Sequence, residues 1–348
     1  MKIEDFPLAP SGKSGWPWTE VALSIVPPNG DEYPKITLVT PSFNQGEFIE
    51  ETIRSVLLQN YPNLEYIIID GGSTDDTVTI IKKYEKYISY WISEKDKGQS
   101  EAINKGLKIA TGEIFNWLNS DDYYAPGTLK KIAELFSVPS MEVVCGKSII
   151  FGKDYSFIGE QSMSFEVGEN YVSRSRINQP ATFFRMAVVR QLGYLNTEFH
   201  YCMDLEWWMK YLFTNGNSNI VFTDDCLVNF RQHEKSKTID QASAFVENEL
   251  ILYSGILAKK NPSLKSIGCY VFDVDLSAVP SEFVFRLSNQ FFFNNAVWNY
   301  GKRNMKKVRL LLTFVKEEFL SPTDLIIFKN MKFRSAFLPP LLFRIFGK

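Results

Sequence analysis

The sequence predicts an α/β protein with a mostly parallel sheet flanked by helices, followed by a C-terminal helical appendage. Between residues 35 and 151, short apolar β runs alternate with segments whose apolar residues recur at helical spacing. The β runs are almost continuously apolar, which is typical of parallel strands that are covered on both faces. Beyond about residue 245 the chain becomes Phe-rich, basic and helix-like, with prolines as breaks.

The elements of the α/β region follow in regular order. Strands are predicted where β-forming residues cluster, at Ile36–Thr40, Tyr66–Asp70, Tyr90–Ser93, Ile114–Leu118 and Val143–Phe151. Helices are predicted between them, at residues 48–57, 78–84, 102–107 and 126–136. We therefore divide the chain into an irregular arm over residues 1–34, an α/β domain over 35–240 and a basic helical appendage over 241–348.

Composition argues against several classes of protein. A chain of 348 residues with 45% hydrophobic side chains can bury a large core, so disorder is not its dominant state. Its 38 basic and 40 acidic residues give a net charge of −2, which argues against a nucleic-acid partner. No apolar stretch approaches the ~20 residues that cross a bilayer, and we expect no signal peptide. The cysteines contain no Cys-x-x-Cys pair, and we expect reduced thiols in a cytoplasmic protein at Cys145, Cys202, Cys226 and Cys269.

Polar residues follow four of the predicted strands at the point where each strand ends. These short segments are Pro41–Asn44, Asp70–Ser73, Glu94–Asp96 and Asn119–Asp122. In an open parallel sheet, ligands bind beyond the carboxyl ends of the strands. The sequence therefore predicts a ligand site on this edge of the sheet.

The segment Asn119–Asp122 carries the strongest chemical signal. Two adjacent carboxylates after an apolar strand disfavour joint ionisation unless a positive charge lies close. A hard divalent cation with oxygen ligands, holding a diphosphate, accounts for the pair. The alternative is a solvated turn that caps the helix predicted from Pro126.

A second cluster, Tyr201–Trp208, places an acid among tryptophans. On a helix Asp204 and Trp208 share one face, and apolar surroundings raise the pKa of a carboxyl group toward that of a useful general base. The alternative is an N-terminal Asp that stabilises the helix dipole over a tryptophan core.

Several motifs resemble those of glycosyltransferase family 2, with its GT-A fold, in the same order and spacing. They are Val39-Thr40-Pro41-Ser42-Phe43-Asn44, Ile67–Thr77, Asp96 with Asn104-Lys105-Gly106, and Ala110–Glu113 leading to Asn119–Asp122. The resemblance covers roughly residues 35–235. It implies a nucleotide-binding half over residues 35–125 and an acceptor half over residues 126–240.

The resemblance also implies roles for single residues. Asp70 is similar to the carboxylate that accepts a hydrogen bond from the base, Asp96 closes that pocket, and Asp121 lies near the ribose. The implied contacts to the nucleotide sugar are Pro41, Ser42, Asp70, Asp96, Asn119, Asp121, Gln179 and Arg231. The segment that runs from Arg231 to Ser236 resembles a family segment that reaches back to the diphosphate. Asp122 and His233 are the implied ligands of Mg²⁺ or Mn²⁺.

Asp204 matches the family's general base, which deprotonates the acceptor hydroxyl. Two positions depart from the commonest pattern. Asn119 replaces the first acid of the Asp-x-Asp region, which removes one charge, although its amide oxygen can still accept a hydrogen bond or ligate a metal. Met203 stands where many members carry a second acid, which leaves Glu206 as a lower-ranked candidate base.

These expectations combine into one function. The chain resembles an inverting glycosyltransferase that moves a sugar from a nucleotide diphosphate, most often UDP in this family, to a hydroxyl of a glycan or lipid-linked acceptor in cell-surface polysaccharide biosynthesis. Two alternatives remain open: a nucleotidyltransferase, which releases pyrophosphate, and a non-catalytic glycan-binding protein on the same fold. Donor and acceptor specificity is expected partly in the loop Ser156–Arg176.

Two interpretations of the appendage also remain open. Residues 286–348 hold 12 Lys or Arg against three acidic residues. Helices near Phe291–Tyr300 and Met305–Phe319 either pack with their lysines in water, or the segment Lys329–Lys348 rests on an anionic membrane. The second interpretation places a cytoplasmic protein at the inner face of the membrane, close to lipid-linked acceptors.

Overall fold

The first of two structural units is built on a mixed β-sheet. The structure, a computed structural model, describes residues 3–23, 33–162, 176–234, 236–237, 241–261, 263–268 and 270–337. The first unit comprises residues up to 162 and residues 176–245, and the second contains the chain from Val246 onward.

Within the described residues the sheet has nine strands: β1 (Ile36–Ser42), β2 (Leu64–Asp70), β3 (Tyr90–Ser93), β4 (Ile114–Trp117), β5 (Tyr123–Tyr124), β6 (Val143–Phe151), β7 (Ser156–Gly159), β8 (Thr182–Arg185) and β9 (Ile220–Arg231). Their order is β3-β2-β1-β4-β8-β6-β9-β5, with β7 paired to β6. The pairs β1–β2, β2–β3, β1–β4 and β6–β9 are parallel, whereas β5, β7 and β8 are antiparallel to their neighbours. The predicted fold class is confirmed, and β5, β7, β8 and β9 are strands that were not predicted.

Ten α-helices occur in the described residues: α1 (Ile49–Leu57), α2 (Thr77–Tyr84), α3 (Gln99–Ile109), α4 (Thr128–Leu135), α5 (Met186–Leu192), α6 (Met203–Asn215), α7 (Ala242–Lys260), α8 (Ser281–Gly301), α9 (Met305–Leu312) and α10 (Pro322–Phe337). The central strand β1 is buried along its whole length, as its apolar sequence predicts. The edge strand β3 is buried at neither end.

Strand β1 marks the point at which the chain changes direction across the sheet. β2 and β3 are added on one side of β1, and the chain then returns to place β4 on the other side. Open α/β sheets bind ligands at this switch point, beyond the carboxyl ends of the strands. The segments that follow Ser42 and Trp117 therefore lie where a ligand is expected.

The second unit has an aromatic core of its own. Tyr253 stacks on Phe291 with ring centroids 4.2 Å apart, and Phe292 stacks on Phe314 at 4.6 Å. The helix predicted over Met305–Phe319 is shorter in the structure, because α9 ends at Leu312. No helix in the described part of the chain is both long and apolar enough to cross a bilayer.

Several predicted features lie partly outside the described residues. Residues 163–175 of the proposed specificity loop and residues 338–348 of the proposed membrane-contacting tail are among them, as is Cys269. Among the other cysteines, Cys145 is a buried thiol and Cys226 a partly buried one.

Candidate active site

The turn Asn119–Asp122 lies at the switch point, between β4 and β5. The Leu118 N–H donates to the Val39 carbonyl at 2.9 Å, so pairing continues one residue past β4. The turn is closed by the Asp122 N–H, which donates to the Asn119 carbonyl at 3.2 Å. β5 then pairs with the end of β9, which brings the residues after β9 beside the two aspartates.

Asp122 is the most deeply buried carboxylate of this turn, with 1% of its surface exposed. Its Oδ1 accepts a hydrogen bond from the Arg231 N–H at 2.9 Å, whereas its buried Oδ2 has no hydrogen-bond partner among the described residues. Burial, with the charge of Asp121 in second place, raises the pKa of Asp122 well above its ordinary value. A buried carboxylate oxygen without a donor is a ligand atom of the kind that hard divalent cations take.

Asp121 lies beside the second predicted metal ligand. Its Oδ2 is 3.2 Å from His233 Nε2, and the His233 ring packs on Phe48 with centroids 4.7 Å apart. The Ser236 hydroxyl accepts a hydrogen bond from the His233 N–H at 3.0 Å and fixes the loop. Within the described residues no group of three His, Cys, Asp or Glu could hold a metal without help. Because Mg²⁺ is usually held by one or two carboxylates plus substrate phosphates and water, these residues fit a cation shared with a diphosphate.

Arg231 contacts both aspartates of the turn. Its Nε donates to the Asp121 carbonyl at 2.9 Å, and its Nη2 lies 2.5 Å from Glu51 Oε2. The guanidinium also lies over the rings of Phe48 and Phe151, at 4.9 and 4.8 Å from their centroids. The predicted contact of Arg231 with the diphosphate stays a prediction, since its charge is paired with Glu51 in this structure.

A relay of polar side chains orients Asn119. Gln99, at the start of α3, donates from Nε2 to Asn119 Oδ1 at 2.7 Å, and its Oε1 accepts from Lys237 Nζ at 3.0 Å. Desolvation lowers the pKa of Lys237, while the nearby charges of Asp121 and Asp204 act in the opposite direction. Lys237 and Gln99 were not predicted as site residues, although Lys237 directly follows the motif that identified His233.

The loop after β2 holds Asp70 in the interior. Asp70 is fully buried, and it accepts hydrogen bonds from the N–H groups of Gly72 and Ser73 and from the hydroxyls of Ser73 and Ser93, at 2.5 to 3.1 Å. Asp96 is only partly buried and lies over Gly71, where an added Cβ would approach its Oδ2 to 2.9 Å. Desolvation raises the pKa of Asp96. A contact of Asp70 with the base stays a prediction, and Asp96 is the more accessible of the two carboxylates.

The remaining predicted donor contacts lie on β1 and beside β4. Pro41 pairs with Ile69 inside the sheet, and Ser42 is buried with its hydroxyl unpaired among the described residues. Gln179 is also buried, and its Nε2 donates to Asn116 Oδ1 at 3.0 Å and to the Trp117 carbonyl at 2.8 Å. The Gln179 amide is therefore tied to the strand that leads into the aspartate turn.

Asp204 occupies the first turn of α6, where tryptophan packing fixes the helix. Trp207 packs on Trp117 of β4 with ring centroids 5.8 Å apart and on Phe184 of β8 at 5.3 Å. Desolvation raises the pKa of Asp204 to about 6, with the Leu205 N–H, at 2.8 Å, opposing the shift. A carboxylate of this basicity suits a general base near neutral pH.

Glu206 has a different environment, although it lies two residues further along α6. It is 1% exposed and forms an ion pair with Lys210 at 3.0 Å. Its charge is therefore held within the helix, which favours Asp204 as the base.

Comparison with known proteins identifies the class. Residues 37–201 match the family model described as Glycosyl transferase family 2. An uncharacterized glycosyltransferase of Rickettsia typhi is 29% identical over 235 residues, which cover 65% of this chain and 72% of that protein. TuaG of Bacillus subtilis, whose name provisionally assigns it to teichuronic acid biosynthesis as a glycosyltransferase, is 39% identical over 104 residues, 29% of this chain and 41% of TuaG. The chain contains a glycosyltransferase family 2 domain, as the resemblance implied.

Solved structures share the fold. Staphylococcus aureus TarS 1–349, in complex with UDP-GlcNAc, has a TM-score of 0.61 at 18% identity, covering 89% of this chain and 92% of that one. The chain spans only 54% of a longer TarS chain. The mannosyltransferase PcManGT from Pyrobaculum calidifontis, in complex with GDP-Man and Mn²⁺, has a TM-score of 0.53 at 14% identity, covering 93% and 90%. At these identities the similarity concerns the fold, and it confirms the GT-A architecture.

Proposed function

We propose that this protein is an inverting glycosyltransferase that transfers a sugar from a UDP-sugar to a hydroxyl of a glycan or lipid-linked glycan. One observation carries the proposal: Lys237 lies close enough to interact electrostatically with both Asp121 and Asp204. We therefore propose that the buried Asp122, which is adjacent to Asp121 and has an unpaired Oδ2 among the described residues, and Asp204, whose pKa is raised, act in one site. The nucleotide sugars bound to TarS and to the mannosyltransferase support this class of donor for the fold.

The proposed reaction is a single displacement. The acceptor oxygen attacks the anomeric carbon, and Asp204 takes the proton that this oxygen loses. The bond between the anomeric carbon and the diphosphate oxygen breaks on the opposite face, and its electron pair leaves with the nucleoside diphosphate. Because attack and departure occur on opposite faces, the anomeric configuration inverts. A pKa of about 6 keeps Asp204 mostly ionised at neutral pH yet more basic than an ordinary carboxylate.

The proposed metal ligands are Asp122 and His233. A bound Mg²⁺ or Mn²⁺ would neutralise charge on the departing diphosphate. Asp121 holds the His233 ring through the 3.2 Å contact, and Gln99 holds the amide oxygen of Asn119 in place. The Mn²⁺ in the mannosyltransferase structure supports a divalent cation in this fold.

The proposed nucleoside contacts lie between β1 and α3. We propose that Asp70 accepts the hydrogen bond from the base and that Asp96, which is partly exposed whereas Asp70 is buried, closes this pocket from outside. The four hydrogen bonds of Asp70 hold the Gly-rich turn that Asp96 covers. Pro41, Ser42 and Gln179 complete the proposed donor side of the site.

Two observations support the proposed acceptor: the name of a relative, and the exposed surface of α10 in the second unit. The name of TuaG supports a role in cell-surface polysaccharide biosynthesis. On α10 the exposed side chains of Ile326 and Phe333 occur together with Lys329 and Lys332. Apolar and basic side chains together favour contact with an anionic membrane, so we propose a cytoplasmic protein that meets lipid-linked acceptors at the inner face of the membrane.

One experiment tests the function and separates it from its alternatives. The full chain is incubated with a panel of UDP-, GDP- and dTDP-sugars, with Mn²⁺ or with EDTA, and the released phosphates are identified. The proposal expects a nucleoside diphosphate in the presence of Mn²⁺ and much less with EDTA. Pyrophosphate would identify a nucleotidyltransferase, and absence of any release or transfer would favour a glycan-binding protein.

A further inference from the structure

Glu51, on α1, connects two parts of the first unit that are distant in sequence. Its Oε2 lies 2.5 Å from Arg231 Nη2, and both side chains are mostly buried, with 16% and 17% exposed. Its Oε1 accepts a hydrogen bond from the Trp18 indole N–H at 3.3 Å. The Glu51 carboxylate thus accepts one hydrogen bond from Arg231, at the end of β9, and one from Trp18. Trp18 belongs to the segment of residues 3–23, here called the N-terminal arm.

Arg231 transmits the position of Glu51 to the aspartate turn. Its backbone N–H donates to Asp122 Oδ1 at 2.9 Å, and its Nε donates to the Asp121 carbonyl at 2.9 Å. The guanidinium is therefore held between the Glu51 carboxylate on one side and the Asp121 carbonyl on the other. Loss of the Glu51 charge would free the guanidinium to move, and the Asp121 carbonyl, next to the Asp122 carboxylate, would lose its Nε–H donor.

The N-terminal arm is anchored beside Glu51 by a buried cation. Arg54 is 1% exposed and donates to three carbonyls of the arm, those of Pro7, Pro17 and Trp18, at 2.7 to 3.1 Å. Its guanidinium also lies over the Trp18 ring, 5.4 Å from the centroid. A buried guanidinium that depends on these carbonyls is costly to leave unpaired, so the arm is firmly seated on α1.

We propose that Glu51 is a positioning residue of the donor site and that the N-terminal arm holds it in place through Trp18. The inference rests on the proposed function, because the group it positions is the carboxylate proposed to hold the metal–diphosphate. The path runs from Trp18 to Glu51, from Glu51 to the Arg231 guanidinium, and from the guanidinium to the Asp121 carbonyl in the turn that carries Asp122. The arm thus acts on the donor site indirectly, through Glu51, and makes no proposed contact with the donor.

The neighbouring residue Glu50 provides a matched control. It lies on the same helix and is also largely buried, but its Oε1 accepts from the Tyr84 hydroxyl at 2.8 Å and its Oε2 lies 4.0 Å from Lys83. Glu50→Gln therefore removes the same charge from α1 without changing a contact of Arg231. Trp16 is the corresponding control for Trp18, since its indole N–H donates at 2.8 Å to the Tyr124 carbonyl and not to Glu51.

The test measures Mn²⁺ binding without turnover. Full-length wild type, Glu51→Gln, Glu50→Gln, Trp18→Phe and Trp16→Phe are titrated with Mn²⁺ in the presence of UDP, and free Mn²⁺ is followed by electron paramagnetic resonance. Removal of a charge-assisted hydrogen bond should weaken Mn²⁺ binding about tenfold in Glu51→Gln, and loss of the neutral Trp18 bond about threefold. Both controls should stay within twofold of wild type. In turnover assays, Glu51→Gln should need more Mn²⁺ for half-maximal rate while kcat at saturating Mn²⁺ changes little.

The outcomes separate this inference from the proposed function. If wild type binds Mn²⁺ with UDP and Glu51→Gln binds as tightly as Glu50→Gln, the positioning role is wrong and the function stands. If wild type neither binds Mn²⁺ with UDP nor releases a nucleoside diphosphate, the proposed function is wrong and the inference falls with it. Should Glu51→Gln lower Tm so far that it does not fold, the comparison of Trp18→Phe with Trp16→Phe decides, and equal Mn²⁺ affinity for these two would refute the path.

Discussion

Replacement of Asp204 by Asn is expected to abolish transfer without loss of stability. The amide keeps the shape of the side chain and an oxygen to accept the Leu205 N–H, but it cannot take a proton from the acceptor. Loss of a well-placed general base costs about 10²–10⁴ in rate, or about 3–5 kcal/mol of transition-state stabilisation. Donor binding should be nearly unchanged, because the base acts on the acceptor.

The same substitution should leave the protein at least as stable. The folded pKa of Asp204 is about 6 against an ordinary value of 3.8, so ionisation is penalised in the folded state. This penalty is absent below the ordinary value, grows as the pH rises toward 6 and is complete above it. Two pKa units correspond to about 3 kcal/mol, reduced here by partial solvent exposure. At pH 7.5 a neutral Asn removes the penalty, and Tm should rise by a few degrees.

The assay combines turnover, UDP binding and thermal unfolding, with Glu206→Gln as the control on the same helix. Glu206→Gln weakens a buried ion pair with Lys210, so it should lower Tm while turnover per folded molecule persists. Asp204→Asn should show the opposite pattern. Turnover above a tenth of wild type in Asp204→Asn, or a lower Tm at pH 7.5, would refute this reasoning.

Three further predictions concern the metal, the pH profile and the membrane. Asp122→Asn removes the charge of the carboxylate whose Oδ2 has no hydrogen-bond partner among the described residues, so UDP with Mn²⁺ should no longer raise its Tm as it does for wild type. An equal rise in both would exclude Asp122 as a ligand. Lys237→Met removes a positive charge that lowers the pKa of Asp204, so the acidic limb of the kcat/KM profile should move from near pH 6 to higher pH, and an unchanged limb would contradict this contact. The full chain should float with anionic vesicles at low salt but not at high salt, and the double variant Ile326→Ser, Phe333→Ser should float less; equal flotation would exclude α10 as the contact.

Local patterns in the sequence were enough to predict five of the nine described strands. The strands β1, β2, β3, β4 and β6 are apolar runs with few polar interruptions, and each was predicted within a few residues. β1 extends two residues further than predicted, because Pro41 and Ser42 still pair with Ile69 and Asp70. The strand β5 has only two residues, and a run of that length carries too little periodicity to predict a strand. It is recognisable only from its pairing with β9, which is distant in the sequence.

Some residues of the candidate site were likewise predicted from the sequence, and others were found only in the structure. The sequence placed acidic and amide side chains after the strands, and the topology gathered those ends at the switch point between β1 and β4. The sequence did not indicate Gln99, Lys237 or Glu51 as site residues, because isolated polar residues on helices and loops resemble solvated surface residues until their partners are known.

The sequence by itself determined the α/β alternation, the acid pair at Asn119–Asp122 and the acid that begins the tryptophan-rich helix. These are local facts, since they depend on residues within one strand or one turn of helix. Only the tertiary structure decided that Arg231 pairs with Glu51, 180 residues away, and that His233 reaches Asp121 across 112 residues. Charge pairing and burial at such separations depend on how strands are ordered across the sheet. The raised pKa values of Asp122 and Asp204 have the same origin, because desolvation is a property of the packed site and not of the neighbouring residues in the chain.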